Sequence, residues 1–220
     1  VVGNKEVTDE GSNIYLAKLS PTGNVLWEAD YGHYQGTDDH GIDLAINSVG
    51  ELVVLGTTVN QGNKIPLVVK YNSSGTRLWE SELSSLGSFE YAPVNLDLDE
   101  SDAIYFTTQR DAISGDKVIT AHKLNTGGVF LWSATYDYGG GVNLPTELIL
   151  NSEGAVIIGG LCSDQLGEAS VTTLKLNNSD GSLSSSHHHT SSSYTYEKPS
   201  DMLLDNTDQV YHTGAANDGT

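Results

Sequence analysis

Four oxygen-bearing side chains recur along this 220-residue chain at nearly constant intervals. They are Asp43, Asn95, Glu147 and Asp201, spaced 52, 52 and 54 residues apart. Each opens an apolar, alternating run that reads as the first strand of a hairpin. Oxygen ligands repeated in this way suit a hard cation such as Ca²⁺, with Asp43, Glu147 and Asp201 as the charged members. The competing role is local: such side chains also cap turns and accept backbone N–H bonds. The loop G-T-D-D-H-G at 36–41 is a weaker cation candidate, and no EF-hand loop occurs.

Other reactive groups are few. His187, His188 and His189 lie between serine runs, and on a strand adjacent residues face opposite ways. Three such histidines cannot all meet one metal there, so an exposed polar hairpin is expected. Cys162 is the single cysteine, which excludes an intramolecular disulfide, and it follows an apolar run as a small packed residue would. Serines and acids are plentiful, but no G-x-S-x-G, H-E-x-x-H or phosphate loop frames them.

The elements that must position these groups come from a repeat. Lys18–Trp27 reads K-L-S-P-T-G-N-V-L-W, and the pattern returns at Lys70–Trp79 and Lys123–Trp132. At Lys175 it returns with serine in the place of tryptophan. In the first copy, Ser20-Pro21-Thr22-Gly23, proline early and glycine late is type I or II turn chemistry between two strands. A second hairpin recurs as 42–57, 95–108, 147–160 and 201–214. Each unit of about 52 residues therefore holds four short strands, and a fixed period of this size signals stacked supersecondary units. Helical periodicity is absent. Trp27, Trp79 and Trp132 are expected to pack between units. Lys18, Lys70, Lys123 and Lys175 are expected to snorkel or to pair with nearby carboxylates.

Charge limits the partners. Ten Lys+Arg stand against 29 Asp+Glu, a formal −19. That field repels nucleic acid and anionic lipid. No apolar run reaches the ~20 residues of a membrane helix. Val1 stands where an initiator methionine would, so a processed chain or a piece of a longer one is expected.

Four antiparallel strands per repeated unit is the sequence form of a β-propeller. The segment D-L-A-I-N-S-V-G-E-L-V-V-L-G at Asp43–Gly56, following W-E-A-D-Y-G at Trp27–Gly32, resembles the bacterial extracellular propeller repeats of the SBBP (seven-bladed β-propeller) family. The second unit departs, with Ser101-Asp102 for glycine and Thr108 for the last glycine. The T-G-x-x-x-W turn is also similar to the tryptophan-docking turn of quinoprotein repeats. The resemblance implies strands running inner to outer, with Asp43, Asn95, Glu147 and Asp201 near a central channel. It implies a blade remnant at 1–31, blades at about 42–83, 95–136 and 147–194, and inner strands of a further blade at 201–214. The chain would be a closed four-bladed ring or an arc of a seven- or eight-bladed one.

For function, the resemblance implies an extracellular or bacterial cell-surface module that binds a protein or glycan, or other domains of a longer chain. Loops 32–41, 84–94, 137–146 and 191–200 would form its recognition face, with Tyr34, Tyr91 and Tyr138 as contacts. A PQQ-type dehydrogenase and an architectural segment of a filament or adhesin are the alternatives. No residue is assignable to a cofactor.

Overall fold

The structure, a computed structural model, describes residues 1–8, 11–33, 36–84, 91–112, 115–190 and 196–217. It is all-β, with 17 strands among the described residues. The strands fall into five successive units. The first is a three-stranded antiparallel sheet, β1 (Val2–Val7), β2 (Gly11–Leu19) and β3 (Val25–Tyr31). Three four-stranded meanders follow: β4 (His40–Ile46) to β7 (Arg77–Glu82), β8 (Tyr91–Leu98) to β11 (Phe130–Tyr136), and β12 (Gly140–Leu150) to β15 (Leu183–His189). The fifth is the hairpin of β16 (Tyr196–Leu204) and β17 (Val210–Asn217). The third and fourth units touch edgewise through one parallel pair, Lys117–Val142. The sheets are open, and the described residues do not close into a ring.

Alternation builds the cores. Because strand side chains alternate faces, each unit offers one apolar face to the unit before it and one to the unit after. Ile14, Leu16 and Tyr31 of the first unit pack on Val54, Leu67, Val69 and Tyr71 of the second. The opposite face of the second, Val53, Leu55 and Val68, packs on Leu96, Ile104, Phe106 and Leu124 of the third. Tyr105, Ile119 and Ala121 of the third meet Leu148, Ile158 and Leu174 of the fourth. The chain is thus held together by nearest-neighbour joints, as in repeat architectures generally.

The inner hairpins close on Asx turns. Oδ1 of Asn47, Asp99, Asn151 and Asp205 each accepts two backbone N–H bonds across its own turn. The third turn residue is left-handed in every copy: Gly50 (φ 82°), Asp102 (φ 61°), Gly154 (φ 76°) and Asp208 (φ 61°).

The recurring acids do not open their strands, as the sequence suggested. Each lies inside a strand, at a β-bulge that recurs in the same place. Register slips between Gly41 and Asp43, Pro93 and Leu96, Pro145 and Glu147, and Pro199 and Asp201. Proline reads as a strand breaker, but at a bulge its missing N–H costs the ladder little. The strands therefore continue back past it, to His40, Tyr91, Gly140 and Tyr196.

Opposite the bulge the backbones come close. A Cβ on Gly160 would lie 2.4 Å from the Leu144 carbonyl oxygen, and one on Gly56 2.5 Å from that of His40. Gly3 holds the same register position in β1 and has open space around it. Gly160→Ala is expected to cost about 1–3 kcal/mol through backbone displacement. Gly3→Ala should be near neutral. Urea midpoints of the two variants check the contrast.

Candidate functional site

The groups that could do chemistry gather at the joints between units. Asp43 Oδ2 accepts the Leu96 N–H of the next unit at 2.9 Å, and Oδ1 accepts its own neighbour's N–H, from Leu44, at 2.8 Å. Asp97 repeats this one unit on, taking Leu150 N–H at 3.1 Å and Leu98 N–H at 2.8 Å. In the third unit the same pair of bonds is made by Asp97, two residues past the periodic position Asn95 and on the same face of the strand; the register beyond the bulge, Leu96 opposite Phe106, matches Leu44 opposite Val54 in the second unit. Asn95 instead donates to Glu147 Oε1 at 2.5 Å and accepts from Thr107 Oγ at 2.8 Å. Asp201 Oδ1 accepts Met202 N–H at 2.8 Å.

These carboxylates sense one another. Burial, first, raises the Glu147 carboxyl above its ordinary range; the Asn95 and Leu148 bonds oppose this, and the charges of Asp201 and Asp43 add to it. Asp97 is raised chiefly by burial, with Asp43 adding repulsion. Yet among the described residues no group of three or more His, Cys, Asp or Glu is arranged to hold a metal ion. Asp43 and Asp97 face backbone N–H donors across the joints and Glu147 takes the Asn95 amide across one of these, which is the role of an interface staple, while Asp201 bonds within its own strand.

A second set of contacts joins the first unit to the second, and the third to the fourth. Tyr31 Oη lies 2.5 Å from His33 Nδ1, and His33 Nε2 lies 2.9 Å from Glu82 Oε2. Asn60 donates to the other Glu82 oxygen at 2.7 Å, and Asp39 accepts the His33 backbone N–H at 2.6 Å. At the matching joint, Tyr136 Oη lies 2.9 Å from His188 Nε2, and Thr172 Oγ lies 2.9 Å from His188 Nδ1. Tyr138 stacks on that imidazole with ring centroids 4.1 Å apart. A tyrosine–histidine–carboxylate chain has the parts of a proton relay. Burial, followed by the bond to Glu80, holds the Tyr31 hydroxyl far above its ordinary range, so it stays protonated. Cys162 is buried, and burial pushes its thiol up to about 11, so it is not an activated nucleophile.

The expected site residues fall out as follows. Tyr34 lies outside the described residues. Tyr91 lies on β8, with its side chain outside them. Tyr138 is half-buried in the short connection 137–139; the rest of the expected 137–146 loop is strand β12. In the histidine run, alternation turns His188 inward and leaves His187 and His189 exposed. The run is therefore more than an exposed polar hairpin, because His188 belongs to the joint.

The tryptophans span the joints. A Cβ on Gly75, Gly128 or Gly181 would lie 2.7–2.8 Å from the ring of Trp27, Trp79 or Trp132 respectively. Each ring thus rests on the left-handed glycine of the next unit's outer turn. Trp27 Nε1 also donates to the Ser73 carbonyl at 3.1 Å, and Trp132 Nε1 to that of Asn178 at 3.0 Å. In the fourth unit the outer turn is one residue longer, so Ser185 pairs with Lys175, where Ser184 was expected.

The lysines differ. Lys70 is buried and pairs with Glu51 at 2.7 Å, and Lys175 reaches Glu153 at 3.4 Å. Lys123 lies over the Tyr105 ring at 4.8 Å and bonds Asn178 of the next unit. Lys18 is exposed, because the inner turn that supplies Glu51 and Glu153 has no counterpart in the first sheet.

The joints come in two alternating kinds. From the second unit to the third, Ser48 donates its N–H and hydroxyl to Asp102, at 3.0 Å or less. From the fourth unit to the fifth, Ser152 does the same to Asp208. The other two joints have glycine, Gly50 and Gly154, at the acceptor position and use the tyrosine contacts instead. The departure at Ser101-Asp102 is thus part of a two-unit period.

In comparison with known proteins, no family model matches the chain and no curated protein is similar to it. No helix among the described residues is long and apolar enough to cross a membrane.

Proposed function

We propose that the chain is a β-propeller, or an arc of one, of the SBBP-like kind, serving as a non-catalytic binding or structural module outside the cell or on a bacterial surface. One observation carries this reading: among the described residues, Asp43, Asp97, Glu147, His33, His188 and the three tryptophans are engaged in joining one unit to the next. That leaves recognition to the loops at the ends of the sheets. The 137–139 connection offers Tyr138, stacked on His188. A rigid aromatic of this kind suits contact with a protein or a glycan.

The test has two parts. Light scattering with intact mass spectrometry distinguishes one closed ring from an arc that associates or continues. Panels of immobilised glycans and surface proteins are then probed with the wild type and with Tyr138→Ala. At least tenfold weaker binding of the variant is expected, with near-ultraviolet circular dichroism unchanged. Binding that survives intact would remove this face from consideration.

A further inference from the structure

We infer that the free face of the β1–β3 sheet is a docking surface for another unit of this repeat, one that presents a tryptophan on its outermost strand. This holds whatever ligand the loops recognise, because it concerns a different surface. It follows from comparing one turn with its three counterparts. Gly75, Gly128 and Gly181 each carry the tryptophan ring of the preceding unit. Gly23 is the same residue of the first unit's turn, with the same left-handed backbone (φ 82°), and none of the described residues lies within 4 Å of where its Cβ would be. It is an indole seat with no indole on it.

The surrounding face agrees. Leu19 stands beside this turn and is 42% exposed. Its register counterparts Tyr71, Leu124 and Leu176 are 3%, 0% and 4% exposed, each covered by the preceding unit. Tyr15 shares that face by strand alternation and is half-buried, whereas its counterpart Leu67 in the second unit is fully buried; the small Ala17 beside it is already covered within its own sheet, at 5% exposure. The surface therefore continues an interface that the chain already makes between its own units.

The occupant is constrained as well. The chain has three tryptophans, and each rests on a glycine of its own chain. A second copy with its joints intact has no ring to offer, so the partner is a repeat unit with a tryptophan of its own.

The experiment joins an extra copy of residues 40–83 to the N-terminus through a flexible Gly/Ser linker of ~20 residues, which keeps the added unit at high effective concentration. A matched fusion carries Trp79→Ala in the added copy only. Amide hydrogen exchange is followed at Gly23 and along residues 15–19. At least tenfold slower exchange is expected in the first fusion, and exchange as in the unmodified chain in the second. Three results would overturn the inference: equal protection in both fusions, protection in neither (the outcome also if the added strands stay unfolded), or a dimer of the unmodified chain that covers Leu19.

Discussion

Trp132→Ala is expected to lower stability by about 3–5 kcal/mol, the range for losing a large buried aromatic. Trp132 is only 9% exposed. Its ring covers Gly181, its edge meets Tyr105 with centroids 6.2 Å apart, and its N–H caps the Asn178 carbonyl. Removing it opens the seat, leaves that carbonyl only the 3.4 Å bond from Lys123 Nζ, and uncovers Tyr105, whose hydroxyl bonds the Asn178 side chain. Glycine at 181 has no side chain with which to fill the gap. Trp27→Ala should cost less, because Trp27 is partly exposed and its bond to Ser73 is open to solvent. Urea denaturation of the two variants measures the difference. Equal losses would mean that the rings do not act through burial at the joints.

Acid should weaken the fold through His122, and His122→Gln should blunt the effect. His122 is fully buried, stacked on Phe106 with centroids 4.7 Å apart, and its Nε2 lies 2.9 Å from Thr108 Oγ. Burial, reinforced by Arg110, pushes the imidazole down to about 3 from its ordinary 6.5. The folded-state pKa is depressed, so the unfolded chain takes up the proton first. The stability from keeping this ring neutral is complete above about pH 6.5 and is lost as pH falls toward 3. At 1.36 kcal/mol per pKa unit the full loss is on the order of 5 kcal/mol, with about 3 kcal/mol gone by pH 4. The carboxylates titrate alike in wild type and variant, so the difference in urea midpoints at pH 7, 5 and 4 isolates the histidine. Parallel curves would show that His122 is not held neutral in the fold.

The sequence displayed the period, the four strands per unit and the packing role of the tryptophans. A constant spacing between residues of one type survives any uncertainty about where strands end. The bulges were harder to see. Pro93, Pro145 and Pro199 stand two residues before Asn95, Glu147 and Asp201, and that proline ladder was the available signal. It reads as a set of strand starts unless proline is allowed at a bulge. Asp97 was hidden because it carries the staple two residues past Asn95, the periodic position, on the same face of an unshifted strand. Ser185 and His188 were displaced by the one extra residue of the 177–182 turn. No rule of spacing in a single chain joins Tyr136 to His188, 52 residues apart, until the sheets are stacked.

The alternation of joints carries a rule of parity. One kind of joint pairs a serine with an aspartate, and the other joins a tyrosine to a residue on the next unit's last strand. A unit that ends one kind begins the other. Any closed cycle assembled from these two joints alone must hold an even number of units, as a necklace of two alternating colours must. A ring of four or eight satisfies this. A ring of seven would require one seam of a third kind, with its own pair of faces.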